Sequence, residues 1–218
     1  MKLDDFTCKQ LSLFDNLSEE VNRNQGQVFS LPDAEIVLYR NFFNKDESSA
    51  IFTDLYENIQ WEQESAFLYG KKVVLPRLTA WYGDRGKIYT YSKIRMDPNP
   101  WTSNLEYIKS QTEGIHSENF NSVLLNLYRD NSDSIAWHSD DEKELGENPT
   151  IASLSFGETR SFMLRHKFKK ELKISFKLTH GSLLIMGGTT QHYWQHQVPK
   201  TRSLIKPRIN LTFRKILG

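Results

Sequence analysis

Apolar positions at the front of the chain are scattered among polar ones. Residues 1 to about 30 are polar, with Asn22, Asn24, Gln25 and Gln27, and hold one short apolar cluster of Leu11, Leu13 and Phe14. This polar, Asn- and Gln-rich texture predicts a mobile tail carrying one sticky peptide. Helical spacing starts after residue 44, where Ile51, Phe52, Leu55 and Ile59 recur on one face and Asn44 or Asp46 can cap the first amides. A second helix is predicted from about 102 to 112, with Leu105 and Ile108 on one face and Gly114 as a left-handed terminator. Between the helices, residues 67–91 alternate aromatic, basic and glycine residues, a texture that predicts hairpins and exposed loops rather than core. From Ser122 onward the period shortens to two. Strand-like runs at 123–128, 134–138, 150–156, 160–166, 172–178, 182–186, 192–198 and 208–214 are separated by turn residues. Strands at this spacing suggest a sandwich, jelly roll or barrel, so the fold class read here is α+β, a β core of roughly 100 residues with two helices packed on it.

The 218 residues suffice for one domain with a real core, and 38% hydrophobic against 25% charged residues excludes collagen-like, coiled-coil and wholly disordered chains. No apolar run reaches the roughly 20 residues a membrane helix requires, and the acidic start lacks a secretory signal, so no membrane partner and an intracellular protein are expected. Cys8 is the single cysteine, which leaves His and carboxylates to hold any metal. Charge is unevenly distributed. From Arg165 to the C-terminus twelve Lys and Arg stand against Glu171 alone, and a local +11 within a total of +1 leaves −10 on the preceding residues. A basic C-terminal third suits a phosphate-bearing partner as well as mere solubility.

Three sets of residues carry candidate chemistry. His138 and Asp140 are spaced by two after a predicted strand, which places both on one face; alone, an H-x-D spacing says little. A third ligand is available from His192 or His196, and two His with one carboxylate and no thiol form the facial triad of non-haem Fe(II) oxygenases. In the last predicted strand Arg208, Asn210, Thr212 and Arg214 share one face and Ile209, Leu211 and Phe213 the other. Two guanidinium forks bracketing an Asn and a Thr make a dicarboxylate clamp, and Asn126 and Tyr128, which also share a face, can bond the same anion.

Taken together these residues resemble the AlkB family of Fe(II)- and 2-oxoglutarate-dependent dioxygenases. The similarity runs from about 31 to 217 and is densest in Asn126-Leu127-Tyr128, His138-Ser139-Asp140-Asp141-Glu142, the stretch 151–157, the stretch 162–167, and Pro207-Arg208-Ile209-Asn210-Leu211-Thr212-Phe213-Arg214-Lys215. It is strongest to the DNA-repair branch. The resemblance implies a double-stranded β-helix jelly roll with N-terminal helices and a nucleotide-recognition lid. The expected division is a tail over 1–30, helices and lid over 31–121 and the jelly-roll core over 122–218. It also implies that His138, Asp140 and His196 hold Fe(II), His196 being preferred over His192 because Gln197-Val198-Pro199 follows it. Arg208 would take the distal carboxylate of 2-oxoglutarate and Arg214 would lie near its metal-bound end, with Asn126, Tyr128, Asn210 and Thr212 completing the pocket. The implied reaction consumes O2 and 2-oxoglutarate, hydroxylates an N-methyl group on a damaged base of the 1-methyladenine or 3-methylcytosine type, and releases succinate, CO2 and formaldehyde.

Such a base must be flipped out of a duplex or taken from a single strand. By the same resemblance Tyr91 stacks on the base, Tyr89 touches its phosphate or edge, and Asp141 or Glu142 faces the exocyclic amine; the bland alternative for the last two is a solvated acidic loop. Tyr69, before Gly70, occupies the place of an aromatic finger that fills the gap left by a flipped base, and Arg77 reaches a phosphate or the orphan base unless it is a plain surface arginine. The expected partner is alkylated DNA in one or two strands, with RNA or protein as the alternative substrate and a non-catalytic DNA-binding module as the alternative function. Gln10-Leu11-Ser12-Leu13-Phe14 resembles the pentapeptide by which bacterial repair proteins bind the sliding clamp; folding back onto the domain is the alternative. A clamp partner would make the compartment cytoplasmic in a bacterium, whereas a eukaryotic source would make it nuclear.

Overall fold

The computed structural model describes residues 25–217 apart from 69–70, 88, 92–93 and 97. Strands β1 (Gln27–Leu31) and β2 (Ala34–Tyr39) pair around Pro32 and Asp33, and helix α1 (Lys45–Asn58) follows. The Asn44 side chain caps α1 by accepting from the Glu47 amide at 2.8 Å, a bond worth about 1 kcal/mol. Two small hairpins, β3 (Ser65–Leu68) with β4 (Lys71–Val74) and β6 (Tyr89–Tyr91) with β7 (Ile94–Met96), flank β5 (Leu78–Gly83). Helix α2 (Ser103–Glu113) is capped by the Thr102 hydroxyl and ends at Gly114 in right-handed geometry, φ −63°, rather than the left-handed turn its glycine suggested.

The second half supplies β8 (Ser122–Tyr128), β9 (Ile135–His138), β10 (Ile151–Gly157), β11 (Arg160–His166), β12 (Lys173–Leu178) and β13 (Ser182–Gly187). The helical turn α3 (Thr190–Tyr193), β14 (Trp194–Val198) and β15 (Arg208–Arg214) complete it. One antiparallel sheet of seven strands runs β1-β2-β13-β10-β15-β8-β5, and one of four runs β12-β11-β14-β9. The two sheets enclose an apolar layer that includes Ile36, Leu184 and Met186 from the large sheet and Phe162, Phe176 and Trp194 from the small one. Behind the large sheet a second layer packs Ile209, Leu211 and Phe213 against Ile51 and Leu55 of α1 and Leu105 and Ile108 of α2. The architecture is mostly β with few helices, a jelly-roll core carrying α1 and α2 on one face.

Three expectations need correction. The stretch 67–91 is not all hairpins and exposed loops, because β5 pairs with β8 along its length and Thr79, Ala80, Trp81 and Tyr82 are buried. A strand buried on both faces lacks the polar-apolar alternation that marks a half-exposed one. The core does not begin at 122 either, since β1, β2 and β5 belong to the large sheet. Residues 27–30, assigned to the tail, pair with 35–38.

Candidate active site

Local folding brings the three candidate ligands to one point. His138 ends β9 and His196 lies mid-strand in β14, and the register sets them directly opposite one another. Their ring centroids are 4.2 Å apart at 65°. Asp140 follows in the loop after β9, where its amide donates to Gln191 Oε1 at 3.0 Å. From His138 Nε2 to Asp140 Oδ1 is 4.0 Å and from His196 Nε2 to Asp140 Oδ2 is 3.9 Å, and one ligand atom from each residue falls within 4.8 Å of the others.

Protonation states suit a metal. His138 Nδ1 lies 2.8 Å from the Ala136 carbonyl, so Nδ1 donates to that oxygen and Nε2 is the nitrogen turned to the site. Burial, reinforced by His138, pushes the His196 imidazole down to about 3 against the attraction of Asp140, which leaves it neutral at pH 7. Burial pushes the Asp140 carboxyl up, but Arg214 and the two histidines outweigh it and hold the group below the usual carboxylate range. Arg214 Nη2 donates to Asp140 Oδ1 at 2.8 Å. Two imidazoles and one carboxylate, without thiol, form the donor set that suits Fe(II). His192 is not in a strand as its spacing suggested; it lies on α3, and its Nε2 accepts from the Asn148 amide at 3.4 Å.

The cavity wall beside this cluster comes from the large sheet. Cross-strand pairing sets Arg208 against Tyr128, Asn210 against Asn126 and Thr212 against Leu124. On the neighbouring strand Ser155 stands beside Asn210 and Ser153 beside Thr212. Arg208 Nη2 donates to Ser155 Oγ at 2.9 Å, and Asn210 Nδ2 to Ser153 Oγ at 2.9 Å and the Leu154 carbonyl at 2.8 Å. Thr212 Oγ1 donates to Asn210 Oδ1 at 3.2 Å. Arg208 is 1% exposed, and its Nε and Nη1 are buried without a hydrogen-bond partner. Burial pushes this guanidinium down to about 10, still protonated at neutral pH. A buried cation with two idle donors is costly unless an anion answers it. The dicarboxylate 2-oxoglutarate fits.

Arg77 is 4% exposed rather than at the surface, and its Nε donates to Asn126 Oδ1 at 2.7 Å in the cavity wall. Glu142 also lines the cavity, whereas Asp141 points to solvent and pairs with Lys167 at 2.9 Å. The backbone of Tyr89 and Tyr91 forms β6; Tyr69 and Gln10, Leu11, Ser12, Leu13 and Phe14 lie outside the described residues.

Several further residues contribute to the site. Phe162 stacks on the His196 ring at 5.1 Å and 26°, Gln191 anchors Asp140, and Ser153 and Ser155 support Asn210 and Arg208. The serines did leave a signal, alternating with Ala152, Leu154 and Phe156 in a strand whose other residues are apolar. Phe162 and Gln191 left none, since their roles depend on strand pairing and not on local spacing.

Comparison with known proteins gives the same picture. Residues 35–214 match the 2OG-Fe(II) oxygenase superfamily. The chain is 45% identical over 192 residues to the mouse Alpha-ketoglutarate-dependent dioxygenase alkB homolog 3, an alignment covering 84% of this chain and 66% of that protein's length. It is 39% identical over 189 residues to the human DNA oxidative demethylase ALKBH2, covering 82% of this chain and 72% of the relative. The solved structure of OsALKBH1 superposes with a TM-score of 0.65 at 17% identity, over 88% of this chain and 100% of that one, a likeness of fold.

Proposed function

The chain belongs to the 2OG-Fe(II) oxygenase superfamily, and from that premise we propose that it is an oxidative dealkylase of DNA, removing N-alkyl groups of the 1-methyladenine and 3-methylcytosine type. The observation that carries this reading is a cavity lined by the His138, Asp140 and His196 cluster together with Tyr128, Asn210 and Arg214, beside which Arg208, paired across strands with Tyr128, keeps two idle donors. Relatives at 39–45% identity are named as alkB dioxygenases and DNA oxidative demethylases. Bound Fe(II), with O2 and 2-oxoglutarate as cosubstrates, supplies oxidation of the alkyl C–H bond, giving succinate and CO2 and releasing the alkyl carbon as formaldehyde.

The protein's own groups bind and orient. The Ala136 carbonyl sets the tautomer of His138, and Arg214 keeps Asp140 ionised. Arg208, supported by Ser155 and paired across strands with Tyr128, takes the far carboxylate of 2-oxoglutarate, while Asn126, Asn210 and Thr212 line its path. On the substrate side Glu142 offers negative charge to a base made cationic by alkylation, a role for which Asp141, held outward by Lys167, is less well placed. In this proposal Tyr91 and Tyr89 stack on and flank the flipped nucleotide, Tyr69 fills the gap it leaves, and Arg77 braces Asn126. The peptide Gln10 to Phe14 serves as a docking site for a sliding clamp; substituting Leu13 and Phe14 with Ala is expected to abolish clamp binding without changing turnover.

The test is anaerobic reconstitution with Fe(II) and 2-oxoglutarate, followed by O2 and a methylated oligonucleotide. Loss of one CH2, about 14 Da, from the strand with matching formaldehyde and succinate is expected. Succinate without that loss would overturn the substrate, and turnover of methylated RNA alone would move the activity to RNA. No succinate would overturn the reading altogether.

A further inference from the structure

Arg160, the first residue of β11, is 3% exposed, yet the acceptors recorded for its guanidinium are main-chain carbonyls. Nη2 donates to Pro199 O at 2.6 Å and Asp133 O at 2.9 Å, and Nη1 to Asp130 O at 3.3 Å. The nearby carboxylates are engaged elsewhere. Asp133 takes the Arg129 amide and guanidinium at 2.7–2.9 Å, and Asp130 takes Ser132. What remains over Arg160 is an aromatic face, with Cζ 5.5 Å from the centroid of Tyr128; Arg208 Cζ lies 5.2 Å from the same centroid. Two buried guanidiniums therefore share one tyrosine ring within cation–π range. Like charges brought so close in the interior repel. The anion that would relieve both is the one the idle donors of Arg208 await.

We propose that Arg160 is a positioning residue for 2-oxoglutarate, locking Tyr128 and the loops that flank it and adding a second positive charge behind the far carboxylate. Its three bonds join segments that matter to the site. Asp130 and Asp133 lie in the turn from β8, which ends at Tyr128, to β9, which ends at His138, and Pro199 lies three residues beyond His196. The turn is further tied to the strand's exit by Asn131, which accepts from the Thr201 amide at 3.1 Å. One side chain thus sets the spacing between the strand that carries Tyr128 and the strands that carry the histidines. Lysine cannot substitute, because a point charge lacks the fork that spans three carbonyls.

The proposal rests on the 2-oxoglutarate reading above, and the experiment separates the two. Calorimetric titration of 2-oxoglutarate into the full chain loaded with Mn(II), a redox-inert stand-in for Fe(II), reads affinity without turnover. Arg160→Met is expected to raise the Kd for 2-oxoglutarate at least tenfold, with Mn(II) and methylated-oligonucleotide affinities within twofold of the parent. Arg160→Lys should fall between, and it carries the test if the Met variant does not fold. Combined with Tyr128→Leu, which removes the ring, the loss should be less than the product of the single losses, since Arg160 acts through that ring. A merely structural role would lower the melting temperature and the fraction of active sites while leaving Kd unchanged. A Kd within twofold of the parent in both folded variants, or fully multiplicative losses, would overturn the assignment of Arg160. A parent chain that binds no 2-oxoglutarate would instead overturn the proposed function.

Discussion

Strand β15 meets two different environments with one run of seven residues. Ile209, Leu211 and Phe213 point into the apolar layer beneath α1 and α2; Trp101 lies parallel to Phe213 at 6.3 Å and Phe120 tilts against it at 6.0 Å. That face is complete in itself. Arg208, Asn210, Thr212 and Arg214 point into the cleft between the sheets and are as deeply buried, at 1–7% exposure. Their face is not complete, for Arg208 keeps idle donors and Arg214 spends a bond on the carboxylate of a candidate metal ligand. Equal burial with unequal satisfaction separates residues that hold the fold from residues that hold a ligand. An interior polar group that satisfies nothing within the chain is a cost to folding, and its usefulness lies in what it binds.

Substitutions on the two faces should separate stability from function. Asp140→Ala is expected to have the largest effect, loss of metal binding and of detectable succinate, measured by metal content and single-turnover assay. Phe213→Ala on the apolar face should cost about 3–5 kcal/mol of stability, read by denaturant unfolding, while the folded fraction binds 2-oxoglutarate as the parent does. Arg208→Met should do the reverse. It weakens 2-oxoglutarate binding at least tenfold, about 1.4 kcal/mol, yet leaves stability unchanged or raised, because an unpaired buried charge is removed at similar volume. If Phe213→Ala and Arg208→Met shifted both quantities alike, the distinction between the faces would fail.

A smaller effect concerns pH at the far end of the large sheet. His180 Nδ1 accepts from the Gly157 amide at 2.8 Å, and burial, with Lys45 nearby, lowers its pKa below the ordinary 6.5. The folded state therefore resists protonation more than the unfolded chain does. Stability from this site is complete above about pH 6.5 and declines as pH falls through that value toward the lower folded pKa. His180→Gln should flatten the slope of melting temperature between about pH 7.5 and 5, without altering 2-oxoglutarate affinity.

Elements whose two faces differ in polarity or exposure were the most legible in the sequence. The runs 160–166 and 208–214 coincide with β11 and β15, and Asn44 was among the caps read for the first helix. In β15 the alternation separated ligand-facing from core-facing residues even though both sides are buried, because the two environments differ in polarity. Strand β5 had no such contrast, and its Trp and Tyr passed for exposed aromatics. The run from 192 also misled, since a four-residue helical turn precedes β14 and carries no period of its own. Local spacing left His192 and His196 as equal candidates, and the family resemblance favoured His196. In the structure it is the register between β14 and β9 that sets His196, and not His192, opposite His138. Arg160 read as one more basic residue; its meaning depends on carbonyls 27 to 39 residues away in sequence.

The claim that the polar face of β15 is built for a dicarboxylate beside a metal is tested most directly by thermal unfolding of the Mn(II)-loaded protein with and without 2-oxoglutarate. A ligand at about a hundred times its Kd stabilises the folded state by about 2.7 kcal/mol. A corresponding rise in melting temperature is expected, one that requires both metal and 2-oxoglutarate and is lost in Arg208→Met. An equal rise in Arg208→Met, or none in the parent at saturating 2-oxoglutarate, would contradict the claim.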